Sequence, residues 1–156
     1  MKLNTNTFDL WVYYKNDGIP KYLLLHTSQE KADKWFRGGR FWQVPGKMIQ
    51  DGETLKDALI RSLQVFRLEA KAIWAAEHTY IIYNPRRECL ETIPVFAAEV
   101  EGPQDFPLTW EHSEYGWFTP EECYERIHFR GLKEGLQWTR KYISEPSEPA
   151  KELRIL

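Results

Sequence analysis

The chain has 156 residues, a length that suits one domain with a self-sufficient core. Charged residues make up 28% and balance to a net −2, while 7 Trp, 8 Tyr and 8 Phe bring aromatics to 15%. So many rings and so little net charge exclude a wholly disordered chain, and the missing Lys/Arg surplus excludes a general nucleic-acid binder.

Met1 to Phe8 is polar and lacks the apolar stretch of a secretion signal. Phe8–Tyr14 reads as a strand, Asn16–Pro20 as a turn, and Lys21–Leu25 as the second strand of a hairpin. Ser28–Arg40 is polar and carries Gly38-Gly39, which predicts a loop. Phe41–Val44 is a short strand stopped by Pro45-Gly46. Thr54 is a good N-cap with Asp57 three residues on, and Leu55, Ala58, Leu59, Leu63 and Phe66 recur at helical spacing, so a helix is expected over 54–66.

Ala72–Tyr83 and Cys89–Val100 have strand composition around the turn Asn84–Glu88, and Pro94 predicts an edge or a bulge. After a loop over 101–107, Tyr115–Phe118 is a short strand. Thr119-Pro120-Glu121-Glu122 starts a helix, with a Thr cap, Pro in the first turn and acid behind it. A last helix is expected over 129–144, with Phe129, Leu132, Leu136 and Ile143 on one face. The expectation is one domain over 1–144, of α/β (α+β) class, followed by a Pro-rich mobile tail over 145–156. No apolar run approaches the roughly 18 residues of a membrane helix. Cys89 and Cys123 lie far apart without metal-ligand spacing, which fits free thiols in a reducing cytoplasm.

The chemistry concentrates in Phe41-Trp42-Gln43-Val44-Pro45-Gly46-Lys47-Met48-Ile49-Gln50-Asp51-Gly52-Glu53-Thr54, continued by Ala58 and Arg61. This stretch resembles the Nudix hydrolase family, whose box is Gly, five residues, Glu, seven residues, then Arg-Glu-apolar-x-Glu-Glu-x-Gly. Glu53 falls on the family's first Glu and Arg61 on its Arg, while Gly52-Glu53-Thr54 falls on its Gly-Glu-Thr. Glu111-His112, with Tyr115 and Trp117 after it, resembles a stretch of the family's diadenosine tetraphosphate hydrolases. Phe41-Trp42-Gln43 is similar to a stretch of its dihydroneopterin triphosphate pyrophosphatases. The resemblance spans about residues 8 to 143 and implies an α/β/α sandwich with a mixed sheet, a pyrophosphohydrolase of nucleoside triphosphates or dinucleoside polyphosphates using Mg²⁺ or Mn²⁺.

The box also departs from the family. Three helix positions that carry metal-binding glutamates in relatives are here Ser62, Val65 and Phe66; the first Gly is Lys47 and the last is Leu68. Pro45–Leu68 sums to +1, whereas a box that gathers hard divalent cations needs carboxylate oxygens. Glu53 and Glu111 remain as the residual catalytic and metal-ligating candidates for a weak Mg²⁺ or Mn²⁺ site. Lys47, Arg40, Trp35, Arg61 and Tyr80 are the candidate ligand contacts, because fixed cations pair with phosphates and rings stack on bases. Three functions follow as expectations. The first is a degenerate domain binding a nucleotide-like small molecule with weak or no hydrolysis. The second is an active pyrophosphohydrolase with a displaced metal site. The third is a protein-interaction domain. No nucleic-acid or membrane partner is expected, and a homodimer is an open alternative.

Overall fold

The computed structural model describes residues 1–46 and 48–156. Its strands are β1 (Lys2–Asn4), β2 (Asp9–Asn16), β3 (Ile19–Thr27), β4 (Trp42–Gln43), β5 (Ala70–Asn84), β6 (Cys89–Val100) and β7 (His112–Phe118). Its helices are α1 (Gln29–Trp35), α2 (Leu55–Gln64), α3 (Pro120–Arg126) and α4 (Arg130–Thr139), the last continued by a wider turn over Arg140–Ser144.

The strands form one seven-stranded mixed sheet among the described residues. β6 carries β5 antiparallel on one edge and, on the other, β1 and β2 in parallel. β3 pairs antiparallel with β2, β4 and β7. Two-residue alternation sorts side chains between the faces. Trp11, Tyr13, Tyr22 and Leu24 join Leu132, Leu136, Cys123 and Ile127 beneath α3 and α4. Leu10, Val12, Leu23 and Leu25 join Ala58, Leu59, Leu63 and Phe66 beneath α2. The result is the expected three-layer α/β/α sandwich. Among the described residues no helix is long and apolar enough to cross a membrane.

Three details differ from the sequence expectation, while the bulge expected at Pro94 is found. Ser28–Arg40 is not all loop: Ser28 accepts from the Lys31 N–H at 3.0 Å and caps α1. β1 forms in the polar start because Lys2–Asn4 find a parallel partner in Cys89–Glu91. Pro94 lies inside the sheet, but where its ladders break. On one edge the pairing passes from Asn4↔Glu91 to Asp9↔Val95, and on the other a bulge separates Ala75↔Phe96 from Thr79↔Pro94. The segment expected as a tail lies along β5: the Ile155 N–H donates to the Ile73 carbonyl at 2.8 Å, and the Ile73 N–H to the Leu156 carbonyl at 3.0 Å.

Gly131 is required for the close seat of α4, since a Cβ there would lie 2.2 Å from Tyr80 Cε2.

Candidate functional site

The loop between β4 and α2 is held from within. Thr54 Oγ1 accepts from the Asp57 N–H at 3.1 Å and donates to Asp57 Oδ2 at 2.7 Å, which starts α2. Glu53 and Arg61 form a two-pronged pair, Nε to Oε1 at 2.7 Å and Nη2 to Oε2 at 2.9 Å. The pair also ties the loop down: Glu53 Oε2 accepts from the Gln50 N–H, and Arg61 Nη2 donates to the Met48 carbonyl. The Arg61 hydrogen bonds, then the Gln50 amide, hold the Glu53 carboxyl down to about 2. Both carboxylate oxygens of Glu53 are therefore committed to folding the loop.

The far end of α2 is built differently. Ser62 is fully buried and its hydroxyl donates to the Ala58 carbonyl at 2.8 Å, a bond back into its own helix. Val65 packs half-buried against the core beneath α2. Phe66 is 4% exposed and meets Phe106 at 5.1 Å between ring centroids. The helix stops at Gln64 rather than at 66, because the chain turns over Arg67 at φ +53°. The Leu68 N–H reaches the Leu63 carbonyl and the Arg67 N–H the Gln64 carbonyl, a Schellman ending closed by contact between Leu63 and Leu68. Leu68 thus supplies the apolar lock after the turn. Glu69 falls beyond the helix and is exposed.

Between the far end of α2 and the sheet lies a recess of about 40 Å³, lined by Leu25, Lys31, Gln43, Pro45, Gly46, Ser62, Phe66, Glu111 and His112. It has room for a few water molecules and is far below the size of a nucleotide pocket. Lys31 is 6% exposed and its ammonium lies 3.5 Å from Glu111 Oε1. Gln43 Nε2 lies 3.2 Å from His112 Nε2. Gln43 and His112 lie in the stretches that carry the resemblance, and Lys31 in a cationic, ring-bearing segment whose alternative reading is a phosphate contact, but none of the three is among the candidate ligand contacts named from the sequence. The signal for Lys31 was present in Ser28, a capping residue followed by seven residues without a helix breaker.

The remaining candidates scatter. Lys47 lies outside the described residues. Trp35 stands at the outer rim, 5.4 Å from Trp110 between centroids, with Lys34 at 5.3 Å, Lys31 at 5.9 Å and Arg86 at 5.4 Å from its ring. Arg40 donates to the Thr27 carbonyl at 2.9 Å and to Ser113, and contacts His26. Tyr80 does not line the recess. It belongs to the core under α4, and its hydroxyl donates to Asp9 Oδ2 at 2.6 Å. Loss of solvent pushes the Asp9 carboxyl up to about 6 despite that bond.

The residues present do not fit a divalent metal of the kind the resemblance implies. Val65 and Phe66 offer no donor atom, Ser62 faces its own helix, Glu53 is held by Arg61, and Glu111 faces an ammonium. Among the described residues no three His, Cys, Asp or Glu side chains gather as a metal site would need.

Residues 6–139 match the family pattern described as "NUDIX domain". Among curated proteins, none matches the chain. A candidate NUDIX hydrolase of Listeria monocytogenes superposes with a TM-score of 0.71 at 15% identity, over 93% of this chain and 98% of that one. An Ap4A hydrolase of Caenorhabditis elegans gives 0.64 at 18% identity, over 86% and 94%. The NUDIX domain of Shewanella oneidensis NrtR, solved with ADP ribose, gives 0.68 at 17% identity, over 90% and 88%.

Proposed function

This chain belongs to the NUDIX family, and from that premise we propose that it binds a nucleotide-like, phosphorylated small molecule and hydrolyses it weakly or not at all. The observation that carries the reading is the exchange at the far end of α2. Ser62, Val65 and Phe66 replace the acidic row, and the adjoining recess holds the ammonium of Lys31 instead. Phosphoryl transfer in this family rests on metal charge to orient and neutralise phosphate. Without carboxylates to hold that charge, a fixed lysine still attracts a phosphate but generates no hydroxide nucleophile.

In this reading one terminal group of the ligand enters the recess beside Lys31 and Glu111. The rest lies along the rim past Trp35, Lys34 and Arg40, where an indole and cations offer a stacking face and phosphate contacts. Lys47, a cation of the box, is proposed as a further phosphate contact. The family likeness, including a NUDIX domain that binds ADP ribose, supports a ligand of this class.

The test is a thermal-shift and calorimetry panel of ADP-ribose, diadenosine tetraphosphate and nucleoside triphosphates, each with EDTA and with Mg²⁺. The expected result is a rise in Tm for at least one of them that survives EDTA and is lost in Lys31→Met. Rapid Mg²⁺- or Mn²⁺-dependent hydrolysis, abolished in Glu53→Gln and Glu111→Gln, would overturn the reading in favour of a displaced metal site.

A further inference from the structure

The outer edge of the sheet stands apart from the recess. Over residues 79–84, β5 is paired on one side only among the described residues: β6 takes that side, and the chain's last residues reach only Ile73 and Trp74. Exposed apolar side chains gather there, with Ile81 at 56%, Tyr83 at 51% and Ile82 at 37%. The register extends them sideways. Tyr83 lies opposite Leu90, and Leu90 opposite Leu3, so the three form a row on one face with Ile81 beside it. Leu90 and Leu3 are exposed as well.

Free edges in monomeric proteins are blunted by charges, proline or bulges. Here the bulge precedes Thr79 and the proline follows Asn84, while Thr79-Tyr80-Ile81-Ile82-Tyr83-Asn84 carries no charge at all. Six uncharged residues with open backbone groups and an apolar row are a pairing surface.

We propose that β5 pairs antiparallel with β5 of a second copy of this chain, around a twofold axis at Ile82. The argument for a second copy is that the edge is complementary to itself. A twofold perpendicular to the sheet keeps each face on its own side, so only registers centred on a residue are allowed. Centred on Ile82, Ile81 stands opposite the partner's Tyr83, and Tyr83 opposite the partner's Ile81. The two apolar rows then join into one. On the other face Ile82 meets its own twin. The acidic end of the edge, at Glu77, runs toward the arginine-bearing turn of the other copy, where Arg87 already pairs with its own Glu91 and Arg86 lies over Trp35. Centring the axis on Ile81 would set Tyr83 against Thr79 and forfeit the matched pairs.

Analytical ultracentrifugation of the whole chain tests this, with Ile81→Lys/Tyr83→Lys as the disrupting variant. Both side chains are exposed, so the variant keeps the circular dichroism of the folded protein. The expected outcome is twice the chain mass for the natural sequence and a single chain mass for the variant. A register test uses cysteine. Opposed Cα atoms in antiparallel strands are about 4.5–5.5 Å apart, within disulfide reach, so Ile82→Cys forms an intermolecular disulfide under mild oxidation. Thr79→Cys, about 20 Å from its twin in this register, does not. Cys89 and Cys123 are buried and do not compete. A natural chain that stays monomeric at high micromolar concentration, a dimer that survives both lysines, or equal cross-linking at residues 79 and 82 would each overturn the proposal.

Discussion

The two halves of the segment from Gln50 to Leu68 fold by different physics. The first half, up to Arg61, is stabilised by directional polar bonds near the surface: the Thr54 cap and the Glu53–Arg61 pair with its ties to Gln50 and Met48. The second half, Ser62 to Leu68, is stabilised by burial, with Phe66 and Leu68 each 4% exposed and Leu63 2%. The polar half keeps the spacing of the family resemblance, and the apolar half carries Ser62, Val65 and Phe66 where that resemblance expects glutamates. The loop and the start of α2 are tied together by side chains of the box itself. The Glu–Arg pair closes the loop, and the row on the far turn of the helix is free to become core.

Substitutions at the two ends separate these halves. The largest effect is expected for Phe66→Ala, which removes a buried ring packed on Phe106 and costs about 3–5 kcal/mol in urea unfolding. That loss should change little between low and high salt, because it is a packing loss. Arg61→Ala should lower Tm by less, and its effect should shrink as salt screens the pair. Equal salt sensitivity in the two variants would break the comparison.

The Glu53 end also predicts a pH dependence. Its folded pKa is depressed from 4.5 to about 2, so its contribution is complete above about 4.5 and is lost as pH falls toward 2. The stability difference between the natural chain and Glu53→Gln should be constant at neutral pH and close in acid. A difference that grows in acid would refute the pairing. Thr54→Ala should cost about 1 kcal/mol through the lost cap, read by chemical denaturation. The smallest effect is expected for Val65→Glu, a half-buried site. Adding one carboxylate to the old row there should move Tm by only a few degrees and leave Mg²⁺-dependent turnover at the level of the natural chain.

Much of this architecture is legible in the residues. The hairpin at Asn16–Pro20, the capped helices α2 and α3 and the two long strands follow from turn chemistry, caps and periodicity, because these are local effects. The Glu53–Arg61 spacing and the exchange at Ser62, Val65 and Phe66 are also visible without coordinates. Other features depend on partners distant in sequence. β1 is a strand because Cys89–Glu91 lies beside it, and the last residues are ordered because β5 has an edge to offer. Tyr80 shows the same limit: as a ring it reads as a candidate ligand contact, but the seat of Gly131 and the bond to Asp9 put it under α4.

The sequence by itself determined that one aromatic-rich α/β domain forms and that Ser62, Val65 and Phe66 stand where the family resemblance expects an acidic row, since both rest on residue type and short spacing. Only the tertiary structure decided what took the place of that row. Residue spacing does not say which side chains from α1, β4 and β7 converge on one helix turn. Packing of the layers brought Lys31, Gln43, Glu111 and His112 to Phe66, leaving a recess of about 40 Å³. The aromatic surplus divides accordingly: most of it packs on the faces of the sheet, and Phe66, buried against Phe106, lines the recess.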